Sequence, residues 1–253
     1  MYLGIDMHGT LIGEDERVPD KCVGPLIAAL DALRPKLRIW LCTGNDLGFV
    51  NRKIQRELLE RFDGYVLETG CVLSDKLSET VLVPEETVRL IKDLRAKLEG
   101  MKLPQVYKFA RRLATISLFT RYGLSPADFR VVVQERVGEL GVADAVQVVY
   151  SSVAVDIIPK GYNKYTGIEK AAGGEEVVAI ADSMNDLDFL RNADYTFLPA
   201  NASPEAKRIL AGEGRELRPL CELTRMQKRV IAQSSRPCTW GVVEILEWLR
   251  EKA

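Results

Sequence analysis

Histidine is almost absent from this chain, with His8 alone among 253 residues. The five cysteines, Cys22, Cys42, Cys71, Cys221 and Cys238, are odd in number, far apart and never in a Cys-x-x-Cys pair. Such a set argues against a disulfide framework or a structural zinc site and fits a reducing compartment. No stretch approaches the roughly 18 uninterrupted apolar residues of a membrane helix. The start, Met1-Tyr2-Leu3-Gly4-Ile5-Asp6, lacks the basic segment and apolar run of a secretory signal. A cytoplasmic protein without a membrane partner is expected. Neither sign of charge is in excess, since 35 Lys+Arg stand against 36 Asp+Glu. The electrostatic footprint of a dedicated nucleic-acid binder is therefore missing, and no nucleic-acid partner is expected. Internal repeats and low-complexity tracts are also lacking.

What is present suits an ordinary globular protein: 47% of residues are hydrophobic and 28% charged. The length fits one large domain or a core with a smaller companion. Tyr2 to Ile5 is a short apolar run ending at Asp6 and a Gly-containing turn, as in a buried parallel strand. Val23, Leu26, Ile27, Leu30 and Leu33 recur at helical spacing. Arg38 to Cys42 reads as the next strand, Leu47 to Arg61 as a helix and Gly64 to Leu67 as a third strand. This alternation predicts an α/β fold with a central parallel sheet and helices on both faces.

After Gly70 the rhythm changes. Cys71 to Leu73 and Thr80 to Val83 resemble a hairpin, and two rounds of helix, strand, strand follow. These comprise helices over 85–98 and 126–140 and strands over 106–109, 113–121, 146–150 and 153–158. They predict a small α+β insert over 84–158 within a core of 1–83 and 159–253. The α/β rhythm resumes with a helix over 163–172, a strand over 177–181, a helical turn over 187–192 and a strand over 195–198. Ser203-Pro204-Glu205 then opens a helix, with Ser as N-cap and Pro at its first position. Gly241 to Arg250 closes the chain as an amphipathic helix. Gly212 to Pro237, with few apolar and many basic residues, fits no element of the pattern; a lid, an interface and an extra helix are open readings.

Three loops follow predicted parallel strands, where open α/β sheets place ligand sites. They are Asp6-Met7-His8-Gly9-Thr10, Thr43-Gly44-Asn45 and Asp182-Ser183-Met184-Asn185-Asp186. Acids from two such loops can hold a hard divalent cation such as Mg²⁺, which takes oxygen ligands and substrate phosphate. Turns at Gly9 and Gly44 would leave backbone N–H groups for a phosphate.

The ordered set resembles the haloacid dehalogenase superfamily of phosphatases and phosphotransferases. Asp6-Met7-His8-Gly9-Thr10 is similar to its Asp-x-Asp-Gly-Thr motif, and Thr43-Gly44 to its second. Lys164 matches its lone Lys, and Ala181-Asp182-Ser183-Met184-Asn185-Asp186 resembles Gly-Asp-x-x-Asn-Asp. Glu68-Thr69-Gly70 and Pro199-Ala200-Asn201-Ala202 resemble further loops of the Cof-type branch. The combination looks most like archaeal-type phosphoglycolate phosphatases or sugar phosphatases. The resemblance implies a Rossmann-like core, a cap that closes over it, Mg²⁺ and a small phosphorylated metabolite as substrate. Asp6 would be the nucleophile that forms an aspartyl-phosphate. Asp6, the His8 carbonyl, Asp182 and Asp186 would ligate Mg²⁺. Thr43, Gly44, Asn45, Lys164 and Asn185 would meet the phosphoryl group, with Lys164 offsetting its charge. Lys160 competes for the lysine role.

One position departs from the resemblance. His8 stands where the second Asp, the general acid and base, is expected. Imidazole exchanges protons near neutral pH and can take that role. The replacement also leaves open a slow phosphotransferase or a non-catalytic phosphometabolite binder. Elsewhere blander readings hold. Arg111, Arg112 and Arg121 read as solvated strand ends, or else as anion contacts. Arg225, Lys228, Arg229 and Arg236 read as a helix surface, Trp240 and Trp248 as packing for the last helix, and Cys42 as a core thiol.

Overall fold

A computed structural model of the protein describes residues 1–13, 15–121, 123–151 and 154–252. The chain divides into two compact units, Met1–Glu79 with Asn163–Ala253, and Thr80–Tyr162. The expected insert, 84–158, lies inside the second.

The first unit opens with β1 (Tyr2–Asp6), α1 (Asp20–Leu33), β2 (Arg38–Cys42), α2 (Leu47–Lys53), α3 (Arg56–Leu59), β3 (Gly64–Leu67) and β4 (Val72–Ser74). The short strand β5 (Glu79–Val81) ends this stretch. Between the helix α4 (Glu85–Gly100) and the strand β9 (Ala154–Pro159), the second unit adds β6 (Val106–Phe109), β7 (Ile116–Thr120), α5 (Pro126–Glu139) and β8 (Val146–Tyr150). The first unit resumes with α6 (Lys164–Ala172), β10 (Val177–Ile180), α7 (Leu187–Asn192), β11 (Tyr195–Leu198), α8 (Pro204–Gly212), β12 (Glu216–Pro219), β13 (Val230–Gln233) and α9 (Cys238–Lys252).

One nine-stranded sheet runs in the order β12-β13-β11-β10-β1-β2-β3-β4-β5. From β12 to β3 every pairing is parallel, and β4 turns antiparallel to β3. The sheet is therefore mixed rather than wholly parallel. Its centre is buried on both faces: Leu3, Ile5, Ile39, Leu41, Val178 and Ile180 share one side and are fully buried, and Cys42, Val177 and Ala179 are buried on the other. That explains why these strands read as continuous apolar runs instead of alternating ones. β1 pairs with β2 on one side and β10 on the other. The connections leaving β1 and β10 thus diverge, which is where open α/β sheets place their ligand sites.

The second unit has its own antiparallel sheet, β6-β7-β9-β8. Ile91, Leu94 and Leu98 of α4, Phe129, Val133 and Val137 of α5, and Ile116, Leu118, Val155 and Ile157 of the sheet form one core. Ser125 caps α5, its hydroxyl accepting from the Asp128 N–H at 3.3 Å, with Pro126 in the first turn. Val153, expected to begin β9, lies outside the described residues.

Two expectations are corrected. The helix over 47–61 breaks at Ile54, whose backbone is extended (φ −104°, ψ 135°); Ile54 is buried there. The stretch Gly212 to Pro237 holds no extra α-helix: after the end of α8 it supplies two parallel strands, β12 and β13, that widen the sheet, with a 3₁₀ turn at Leu220–Glu222 between them. Its basic residues lie off helices: Lys228 pairs with Glu176 and Asp194, each at 2.8 Å, and Arg236 lies over the Trp240 ring. Trp248 packs on Phe197 and donates to the Leu223 carbonyl at 3.2 Å. No described helix is long and apolar enough to cross a membrane.

Candidate active site

Asp6 is the last residue of β1 and is 3% exposed. The chain then turns back on itself, Leu11 N–H donating to the Asp6 carbonyl and Ile12 N–H to that of Met7. Gly9 is required in this turn. Its φ is +76°, and a Cβ would sit 2.2 Å from Asp182 Oδ2. Its N–H donates to the Ile12 carbonyl at 2.8 Å, so that group is engaged within the turn and does not face a ligand.

Asp182 follows β10 and accepts from Thr10 Oγ1 at 3.0 Å. Asp186 ends a single 3₁₀ turn, Met184–Asp186, and accepts from Ser183 Oγ at 2.6 Å. Carboxylate oxygens of Asp6, Asp182 and Asp186 lie within 4.8 Å of one another. Lys164 Nζ donates to Asp6 Oδ1 at 2.5 Å and also to Asp186 Oδ1. Lys164 is the first residue of α6, where Asn163 and Thr166 form a reciprocal capping box. The cap fixes the helix start and with it the base of the lysine side chain. Lys160, the competing candidate, is exposed.

Fully ionised, the buried Asp6 and Asp186 and the half-buried Asp182 would outnumber the single Lys164 ammonium by three charges to one, and their proton affinities respond. Burial, then repulsion from Asp186, pushes the Asp6 carboxyl up to about 8 despite Lys164. Burial and Asp186 likewise raise Asp182 to about 6, against the Thr10 hydrogen bond. Burial draws the Lys164 ammonium down, but Asp186 and Asp6 outweigh it and its net shift is upward. Such a donor set, all hard oxygen and short of positive charge, fits a divalent cation such as Mg²⁺.

The second loop lies beside the first. Thr43 Oγ1 accepts from both the backbone N–H and the Nδ2 of Asn45, each at 3.2 Å. The same Nδ2 is 3.5 Å from His8 Nδ1, the outer limit of a hydrogen bond. Asp46 caps α2 by accepting from the Phe49 N–H at 2.8 Å, and the Phe49 ring packs against His8 with centroids 5.5 Å apart. Burial lowers the His8 imidazole to about 4, with Glu16 opposing. His8 is therefore neutral at pH 7, and its ring stands outside the carboxylate cluster. Gly44 faces Thr69 Oγ1, while Asn185 is half-buried in its loop.

Residue by residue, Asp6, Lys164, Asp182 and Asp186 come together, and Thr43, Asn45 and His8 form an adjoining group. Sequence reasoning had not assigned parts to Thr10, Ser183, Phe49 or Asn201. Asn201 Nδ2 donates to the Gly9 carbonyl at 2.8 Å, and its Oδ1 accepts from the Cys238 N–H at 2.7 Å, tying the first loop to the start of α9. The Thr10 and Asn201 signals lay in motifs already noted. Nothing in the sequence pointed to Phe49.

Residues 134–211 match a family model described as haloacid dehalogenase-like hydrolase. A phosphoglycolate phosphatase of Methanopyrus kandleri is 26% identical over 212 residues, 81% of this chain and 86% of that protein. Among solved structures, a Thermoplasma acidophilum protein superposes with a TM-score of 0.68 at 15% identity, covering 98% of both chains. The sucrose-phosphatase of Synechocystis sp., solved with sucrose and phosphate, gives 0.66 at 17% identity over 98% of this chain and 96% of that one. The chain has the haloacid dehalogenase-like hydrolase fold. Within that fold the carboxylate cluster occupies the carboxyl ends of the two central strands, and the chain is broadly related to phosphatases.

Proposed function

We propose that the protein is a Mg²⁺-dependent phosphatase acting on a small phosphorylated acid or sugar. The observation that carries this reading is Asp6, buried at the end of β1, held by Lys164 and clustered with Asp182 and Asp186. In this reading an Asp6 carboxylate oxygen attacks phosphorus while the bond to the leaving alkoxide breaks, forming an aspartyl-phosphate. Water then attacks that phosphorus and restores the carboxylate with release of phosphate. Thr43 and Lys164 bind and orient the phosphoryl oxygens, with Gly44 beside Thr43 and Asn185 in the turn after β10. A divalent cation held by Asp6, Asp182 and Asp186, with the His8 carbonyl, would supply the positive charge that keeps Asp6 ionised. The neutral His8 imidazole can take a proton from the attacking water; only after it has done so does it carry a proton to give up. The similar proteins include a phosphoglycolate phosphatase and a sucrose-phosphatase, which supports the substrate class.

The test is phosphate release from phosphoglycolate, sugar phosphates and a chromogenic ester, with Mg²⁺ or EDTA. Turnover should need Mg²⁺ and fall at least about 10³-fold in Asp6→Asn; an unchanged rate in that variant sinks the nucleophile assignment. His8 motivates a second reading, a phosphometabolite binder without turnover. Phosphate-ester binding without hydrolysis, together with hydrolysis gained in His8→Asp, would favour it. Diversion of phosphate to an added sugar acceptor would instead indicate a phosphotransferase.

A further inference from the structure

Thr43 is 1% exposed, and its hydroxyl oxygen receives two donors, both from Asn45. A hydroxyl has two lone pairs and one proton. With both lone pairs engaged, only the proton can act outward, and it has no acceptor among the described residues. Buried donors are nearly always satisfied, so this one suits an acceptor from outside the chain. On the phosphatase reading, on which this inference rests, that acceptor is a phosphoryl oxygen.

We infer that Asn45 is a positioning residue that acts through Thr43, filling the acceptor side of its hydroxyl so that the hydroxyl meets phosphate only as a donor. The arrangement is rigid. The Thr69 N–H donates to the Thr43 carbonyl and the Glu68 N–H to that of Asn45, each at 3.1 Å. Glu68 and Thr69 both adopt positive φ, 48° and 56°, without being glycine. Backbone in that region persists only where the surroundings over-determine it. The Asn45 Nδ2 group thus lies against Thr43 Oγ1 and the His8 ring. Direct phosphate binding by Asn45, the simpler expectation, predicts independent effects at the two positions; action through Thr43 predicts coupled ones.

A double-mutant cycle separates the two. Inorganic phosphate binding in Mg²⁺ is measured by calorimetry on the full chain, and ester turnover is measured in parallel. Asn45→Ala should weaken phosphate binding about tenfold, the scale of one hydrogen bond. In a Thr43→Val background the same change should cost no more than about twofold. In a Thr43→Ser background, which keeps the hydroxyl, the tenfold cost should return. Asn45→Asp, similar in size but an acceptor only, should do more harm than Asn45→Ala by turning the hydroxyl proton inward. Equal costs of Asn45→Ala with and without the Thr43 hydroxyl overturn the inference, as does no cost in the otherwise native chain. The coupled pattern in phosphate binding without ester turnover would keep the inference and refute the phosphatase reading. Turnover with additive effects would do the reverse, and no phosphate binding by the native chain would overturn both.

Discussion

Raising the pH from 6.5 to 8 in EDTA should destabilise the folded protein, and saturating Mg²⁺ should remove the effect. The cause is the carboxylate cluster. At 4.8 Å and an effective dielectric constant near 20, two carboxylates repel by about 3 kcal/mol. Burial adds to that, and the Asp6 carboxyl rises from its ordinary 3.8 to about 8. Between those values the folded state holds a proton that the unfolded state has released. The contribution is fully present below 3.8 and is lost as pH rises through about 8, at about 1.4 kcal/mol per pH unit. The other site groups are quiet in the chosen window. Asp182, raised to about 6, has largely ionised by pH 6.5. His8, lowered to about 4 from 6.5, destabilises the fold only below 6.5. Lys164, raised above its ordinary 10.5, contributes fully throughout. The expected loss is therefore about 2 kcal/mol, or roughly 4–8 °C in Tm for a chain of this size. Thermal unfolding by circular dichroism at several pH values, with EDTA or Mg²⁺, reads it directly. A bound cation keeps Asp6 ionised in the folded state, so the slope should flatten and apparent Mg²⁺ affinity should rise with pH. Stability that is flat or rising in EDTA, or an equal slope in both conditions, would refute the reasoning.

Two further perturbations probe how the site is held. Gly70→Ala places a Cβ 1.9 Å from the Asn163 carbonyl oxygen at a residue with φ +90°, and Asn163 caps the helix that begins at Lys164. It should cost about 2–4 kcal/mol in denaturant unfolding and lower turnover more than tenfold; native stability and rate would show that the contact is easily relieved. Lys164→Met leaves Asp6 and Asp186 without their shared ammonium and should cost about 3–5 kcal/mol near neutral pH in EDTA. An undiminished Tm at pH 7.5 would count against the pairing.

Much of the fold was legible because buried parallel strands must be apolar throughout. Tyr2 to Ile5, Arg38 to Cys42 and Val177 to Ile180 could be read directly, and the loops after them followed from strand polarity. The second unit showed as a change of rhythm. β12, reading Glu216-Leu217-Arg218-Pro219, did not show because an edge strand need not be apolar. Its charges and proline suit an exposed edge and hide it in the sequence. The helix break at Ile54 was equally silent, since the apolar spacing ran on through it.

The sequence alone determined which groups could do the chemistry: Asp6, Asp182 and Asp186 after strands, Thr43 beside a glycine, and His8 where a second acid was expected. It left Lys160 and Lys164 as rivals, because proximity along the chain says nothing of direction. Only the tertiary structure placed Lys164 against carboxylates 158 and 22 residues away. Only it set Phe49 against His8, and Asn45 against Thr43 as a hydrogen-bond donor. Proton affinity followed the same rule. Whether Asp6 titrates near 4 or near 8 depends on water removed and charges brought close by distant segments, and those quantities exist only in the folded chain.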